Sequence, residues 1–170
     1  MRSPYLFRSC YLCYSPLHVW LLYIGVLSGI FALAGCAATG SLLQPGIALK
    51  DVRFEVSANA NDATPFAVEL VAVADEALVP TVLGLSAAQW FDPVTNIKRD
   101  YQTTLRSWYY ELTPGSTMLV NDAQFGGRGT RAVILFANYK GKGAYRLRID
   151  ATAHATIRFA DQTVELAGTP

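Results

Sequence analysis

Ala132-Val133-Ile134-Leu135-Phe136-Ala137-Asn138-Tyr139 is apolar without alternation, the pattern of a central strand buried on both faces. Upstream the chain behaves differently. Val52, Phe54 and Val56 alternate with Arg53 and Glu55, the period of two that marks a strand with one face in water. Phe66 to Val73 begins the same way through Phe66, Val68 and Leu70 and then turns continuously apolar. Leu105 to Leu112 is rich in strand-forming aromatics and stops at Thr113-Pro114-Gly115, a turn with proline and glycine in favourable positions. A short strand follows over Met118 to Val120.

After the apolar run, Lys140 to Gly143 is a tight connection, and Tyr145, Leu147 and Ile149 alternate with Arg146, Arg148 and Asp150. Thr156 to Phe159 and Thr163 to Leu166, joined around Asp161, complete a hairpin. Seven to eight short strands with turn signals between them predict an all-β sandwich. Between Asp75 and Asp100 the alternation is lost. Ser86 there suits the N-cap of a short helical turn through Ala87, Ala88 and Gln89, which Asp92-Pro93 ends. This short helical insertion carries Trp90 and Phe91, read as exposed. They serve either as partner-binding anchors or as a lid over the end of the sandwich.

The N-terminus has its own logic. Arg2 and Arg8 precede an apolar stretch from Leu17 to Ala34, broken only by His18, and Leu33-Ala34-Gly35-Cys36 closes it. That is the pattern of a bacterial lipoprotein signal: a positive start, an apolar segment for export, small residues before the cleaved bond, and a thiol to carry lipid. Residues 1–35 are the expected signal peptide, Cys36 the lipidation site, 36–47 a small-residue tether and 48–170 the β-sandwich domain. Ala37 after the cysteine favours the outer membrane, periplasmic face. Two or more acyl chains anchor firmly, since each buried methylene contributes roughly 0.8 kcal/mol and one chain binds only reversibly.

Removing 1–35 leaves 135 residues, enough for one domain with a core of its own. Of the three cysteines, Cys10 and Cys13 lie in the leader and Cys36 is taken by lipid, so neither a disulfide framework nor thiol chemistry is expected. Two of the fourteen basic residues leave with the leader, and twelve then face thirteen acidic ones, a balance that argues against nucleic acid. His154 is the one histidine left, too few for a typical zinc site, and nothing calls for a cofactor.

Four constellations invite a reading. Gly84-Leu85-Ser86-Ala87-Ala88 resembles a nucleophile elbow, with Asp122 or Asp150 and His154 in suitable order, but an elbow needs a sizeable α/β sheet and a capping serine is the simpler account. Gly126 to Gly129 precedes a strand and not the helix that a phosphate loop opens. Lys140, Lys142, Arg146 and Arg148 form a basic group balanced by Asp150 and Glu165. Asn59, Asn61 and Asp62 lack the carboxylates of a calcium loop and read as a polar recognition loop instead. An enzyme is not expected.

The cysteine motif at Cys36, the strand Phe66 to Val73, the turn Leu112-Thr113-Pro114-Gly115, the strand ending Phe136-Ala137-Asn138-Tyr139 and Tyr145-Arg146 just after it together resemble the TssJ family, the outer-membrane lipoproteins of type VI secretion. The resemblance implies a transthyretin-like β-sandwich. It also implies an anchoring role, in which the protein binds the periplasmic C-terminal part of an inner-membrane protein of TssM type, partly through the loop between the first two strands, here Ser57 to Pro65. The chain departs from the family pattern at Val71-Ala72-Val73-Ala74, at the insertion Gln89 to Val94 and at Lys98-Arg99-Asp100-Tyr101 after it. The partner-binding candidates are Asn59, Asn61, Asp62, Trp90 and Phe91. The alternative is a periplasmic lipoprotein that binds a small or lipidic ligand in an apolar cavity between its sheets.

Overall fold

The computed structural model describes residues 46–121, 125, 127 and 129–167. Cys36, the leader and most of the tether lie outside the described residues, as do Asp122, Gly126 and Arg128. Among the described residues no helix is long and apolar enough to cross a membrane.

Eight strands form two four-stranded sheets. In chain order they are β1 (Asp51–Val56), β2 (Phe66–Val73), β3 (Leu105–Leu112), β4 (Thr117–Asn121), β5 (Ala132–Ala137), β6 (Arg146–Arg148), β7 (His154–Phe159) and β8 (Val164–Ala167). The first sheet runs β4-β1-β7-β8 and the second β3-β2-β5-β6. Among the described residues only the β1–β7 pairing is parallel. This is the all-β sandwich that the alternation predicts, and β5 occupies the interior sheet position that its unbroken apolar run demands.

Side-chain period decides which face each strand buries. In β1, Val52, Phe54 and Val56 turn inward; in β7, Ala155, Ile157 and Phe159 join them. The second sheet answers with Phe66, Val68, Leu70 and Ala72 of β2 and Val133, Leu135 and Ala137 of β5. The rings of Phe54 and Phe159 meet edge-on at 5.7 Å, and Phe66 meets Tyr139 edge-on at 4.7 Å. Each fully buried aromatic or branched side chain contributes about 1.5–3 kcal/mol, so this layer holds the sheets together. Thr113-Pro114-Gly115 carries the chain from β3 in one sheet to β4 in the other. Gly115 sits at φ +79°, a conformation that favours glycine, and Ser116 N–H donates to Thr113 O at 3.1 Å, which closes the turn.

The other residues of β2 and β5 point away from the first sheet, and they too are buried. Val71, Val73, Ala132, Ile134 and Phe136 lie under the segment between β2 and β3, forming a second apolar layer with Leu78, Val79, Val82, Ala87 and Trp90. That segment is more helical than its sequence suggests. It holds a 3-10 turn (Glu76–Leu78), α1 (Val79–Gly84), α2 (Ala87–Phe91) and α3 (Ile97–Asp100). Asp75 opens it by accepting from Ala77 N–H at 3.0 Å, and Pro80 stands in the first turn of α1, where its missing N–H costs nothing. Ser86 caps α2 as expected, in a reciprocal box: its hydroxyl accepts from Gln89 N–H, and Gln89 Oε1 accepts from Ser86 N–H at 2.8 Å.

The expectation that Trp90 is exposed is corrected here. Trp90 is 1% exposed, stacked flat on Phe136 at 4.8 Å, and its indole N–H donates to Glu69 at 2.8 Å. A sheet with an apolar outward face requires a large apolar cover, and Trp90 supplies it. Phe91 beside it is half-buried.

Candidate functional site

Four connections meet at one end of the sandwich: the β1–β2 loop, the β3–β4 turn, the β5–β6 loop and the β7–β8 turn. Backbone hydrogen bonds link them, with Ser57 N–H to Phe159 O at 2.9 Å, Gly115 N–H to Ser57 O at 3.3 Å and Asn61 N–H to Asp161 O at 3.0 Å. The β5–β6 loop is glycine-rich for a physical reason. Tyr145 lays its ring across it, and a Cβ on Gly143 would fall 2.5 Å from that ring. Tyr139 closes the end from below, its hydroxyl donating to Ala160 O at 2.8 Å, and burial pushes that hydroxyl's pKa well above the usual tyrosine range.

The β1–β2 loop turns left-handed. Asn61, Asp62 and Ala63 all have positive φ, at 51°, 56° and 52°. For an L-residue this conformation costs roughly 1–2 kcal/mol; asparagine and aspartate tolerate it best, and alanine does not. The surroundings hold it there. Asn61 Oδ1 accepts from Lys140 N–H at 2.7 Å and Asn61 Nδ2 donates to Thr64 O at 3.3 Å, while Gln162 Nε2 donates to Asp62 Oδ1 at 3.2 Å. Lys140 Nζ adds a bond to Thr64 Oγ1 at 2.8 Å.

The three polar residues singled out in this loop therefore divide. Asn59 and Asp62 are exposed, whereas Asn61 is buried, because its side chain faces the β5–β6 loop and not solvent. Trp90 and Phe91 belong to the second sheet's outward face, and they do not roof the space between the sheets. That space is filled by Phe54, Phe66, Leu70, Leu112, Leu135 and Phe159, which leaves the ligand-binding alternative without the lid it needs.

The triad residues do not assemble. The Ser86 hydroxyl is engaged with Gln89 on the helical insertion, and His154 Nδ1 pairs with Asp51 Oδ2 at 2.6 Å on the first sheet, while Asp150 receives Arg148 at 2.9 Å. The basic group also separates. Lys140 serves the loop cluster, Arg146 donates to Leu85 O at 3.2 Å and so clasps the insertion, and Arg148 is held by Asp150.

Residues that the sequence reading did not assign to this loop carry much of the geometry. Lys140, Asp161 and Gln162 brace the left-handed turn from two other connections, and no local pattern announces such contacts. Glu69 had a signal: a lone carboxylate within Phe66-Ala67-Val68-Glu69-Leu70-Val71 must find partners if the strand is buried on both faces. It finds Trp90 and Lys98, whose Nζ lies 2.5 Å away and 4.7 Å above the indole ring.

Among solved structures the chain is similar to the T6SS lipoprotein TssJ1 from Pseudomonas aeruginosa, with a TM-score of 0.53 and 16% identity over 71% of this chain and 95% of that one. It is similar also to Serratia marcescens Lip, a membrane bound component of the type VI secretion system, with a TM-score of 0.52 and 14% identity over 75% and 100%. A chain in the structure described as the T6SS protein TssM C-terminal domain (869-1107) from EAEC gives a TM-score of 0.54 and 12% identity over 69% and 99%. At these identities the likeness is one of fold, and the fold is TssJ-like, as the resemblance of the sequence implied. No protein-family model and no curated protein matches the chain.

Proposed function

We propose that this protein is an outer-membrane lipoprotein that anchors a type VI secretion envelope complex by binding the periplasmic domain of an inner-membrane component of TssM type. The observation that carries the reading is the TssJ-like sandwich, which spans nearly the whole of TssJ1 and Lip, the one described as a T6SS lipoprotein and the other as a membrane bound component of that system. The cysteine motif at Cys36 adds the attachment. The role is structural and requires no catalysis.

In this mechanism the lipid on Cys36 confines the sandwich to the inner face of the outer membrane, and the tether lets it stand clear of the surface. Confinement raises the effective concentration of the loop cluster for a partner that already bridges the periplasm, so that modest intrinsic affinity suffices. Asn59 and Asp62 present polar contacts from the β1–β2 loop.

A pull-down from envelope extracts tests the reading, with wild type, Cys36→Ser and a double variant Asn59→Ala/Asp62→Ala as baits. Wild type is expected to recover the TssM-type protein, the double variant to lose it, and Cys36→Ser to leave the membrane fraction while keeping the partner. Failure of wild type to recover that protein in cells expressing the secretion system overturns the proposal.

A further inference from the structure

We infer that Asn61 is a positioning residue for the partner contact: buried beneath the β1–β2 loop, it holds the left-handed turn in its binding form, while Asp62 makes the contact. The inference rests on the reading of this loop as the partner site.

Asn61 is 1% exposed, so a partner docking on the folded loop does not reach it. What it does reach is the rest of the loop cluster. Its backbone N–H bonds Asp161 O at 3.0 Å, its Oδ1 takes the Lys140 N–H at 2.7 Å, its Nδ2 reaches Thr64 O at 3.3 Å, and its own carbonyl accepts from Thr64 N–H at 3.2 Å. One side chain thus ties the β1–β2 loop to the β5–β6 loop and closes the turn on itself. The next two residues, Asp62 and Ala63, remain left-handed without any glycine to ease them. Such backbone strain persists only where the surroundings over-determine it.

A second brace, from the β7–β8 turn, aims Asp62. Tyr145 hydroxyl donates to Gln162 Oε1 at 2.9 Å, and Gln162 Nε2 donates to Asp62 Oδ1 at 3.2 Å, a relay that holds the exposed carboxylate in one direction. Without Asn61's side chain the turn relaxes toward ordinary backbone conformations, and the binding-competent fraction falls. Apparent affinity falls by that same fraction, and the loss appears in association, because the complex once formed makes the same contacts. A contact residue behaves oppositely, since losing a contact speeds dissociation.

Binding kinetics separate the two roles. The full-length lipoprotein in detergent is immobilised and the purified periplasmic C-terminal domain of the TssM-type protein from the same cells is the probe. Asn61→Gly suits the test because glycine adopts φ near +51° freely and only the side-chain bonds are removed. It is expected to lower the association rate about tenfold and leave the dissociation rate within about twofold. Asp62→Asn, which keeps the left-handed preference and removes the charge, is expected to raise the dissociation rate. An Asn61→Gly protein that binds at the wild-type association rate overturns the inference, as does one that changes only in dissociation. Should that variant fail to fold, Asn61→Asp, which keeps the oxygen acceptor for Lys140 N–H and removes only the Nδ2 donor to Thr64 O, is read by the same split. A wild-type protein that does not bind the probe overturns the functional reading itself, an outcome distinct from wild-type binding with an indifferent Asn61.

Discussion

The outward faces of the two sheets are built by strands of similar length and end in opposite states. On the first sheet, Asp51, Arg53 and Glu55 of β1 lie beside His154, Thr156 and Arg158 of β7, and the face stays in water with two polar pairs upon it, the hydrogen-bonded Asp51–His154 at 2.6 Å and the ion pair Glu55–Arg158 at 3.0 Å. On the second, Val71, Val73, Ile134 and Phe136 are sealed under α1 and α2. The difference teaches how to count layers. A strand that alternates needs one cover, whereas a strand apolar on both sides obliges the chain to supply a second, and here it is supplied by the segment between β2 and β3.

The comparison breaks most sharply at Trp90. Truncating it removes the stack on Phe136 and deprives Glu69 of its indole donor, so Trp90→Ala is expected to cost about 3–5 kcal/mol, the range for large aromatic deletions in a core. Urea denaturation followed by circular dichroism measures it. A loss below about 1 kcal/mol would mean that the insertion rests on the sheet without being part of its core.

That result bears on what the sequence made legible. β1 to β3 and the closing hairpin follow from period and turn chemistry alone, since Val52-Phe54-Val56 and Thr113-Pro114-Gly115 are local signals. The exposure of Trp90 was misjudged for a reason visible in the same sequence. Ala132 to Ala137 announces two covered faces, a two-sheet sandwich covers only one, and the insertion with its large aromatic is the piece left over. Helix α1 had signals as well, in Pro80 at its start and Val79 and Val82 one turn apart. The brace around Asn61 was not legible, because Lys140 and Asp161 lie far along the chain and meet it only once both sheets are built.

Lys98 sharpens the comparison at a smaller scale. Its ammonium is the only cation on the buried Glu69 carboxylate among the ion pairs of the described residues, and it also stands over the Trp90 ring. Lys98→Ala leaves that carboxylate to the indole N–H alone, and with Lys98 itself 42% exposed the expected cost is about 1–3 kcal/mol. The double-mutant cycle with Glu69→Gln identifies the cause. Once the carboxylate is neutral, removing Lys98 is expected to cost no more than about 0.5 kcal/mol, and a cost unchanged by Glu69→Gln would place the effect in packing against Trp90 and Phe91 instead.

The smallest effect belongs to the open face. Arg158 Nε lies 3.0 Å from Glu55 Oε2, a distance no worse than that of many buried pairs, yet the side chains are 66% and 39% exposed. Water solvates both ions before and after folding, and ordering two long side chains offsets most of the Coulomb gain, so Arg158→Ala is expected to change stability by no more than about 0.5 kcal/mol. The residual effect should shrink further in high salt, because the screening length falls to about 3 Å at 1 M. Denaturation of the variant at low and high ionic strength checks both statements. A loss of about 2 kcal/mol that persists in salt would show that the first sheet's outward face is covered after all, and the contrast between the two faces would then be one of what covers them and not of whether they are covered.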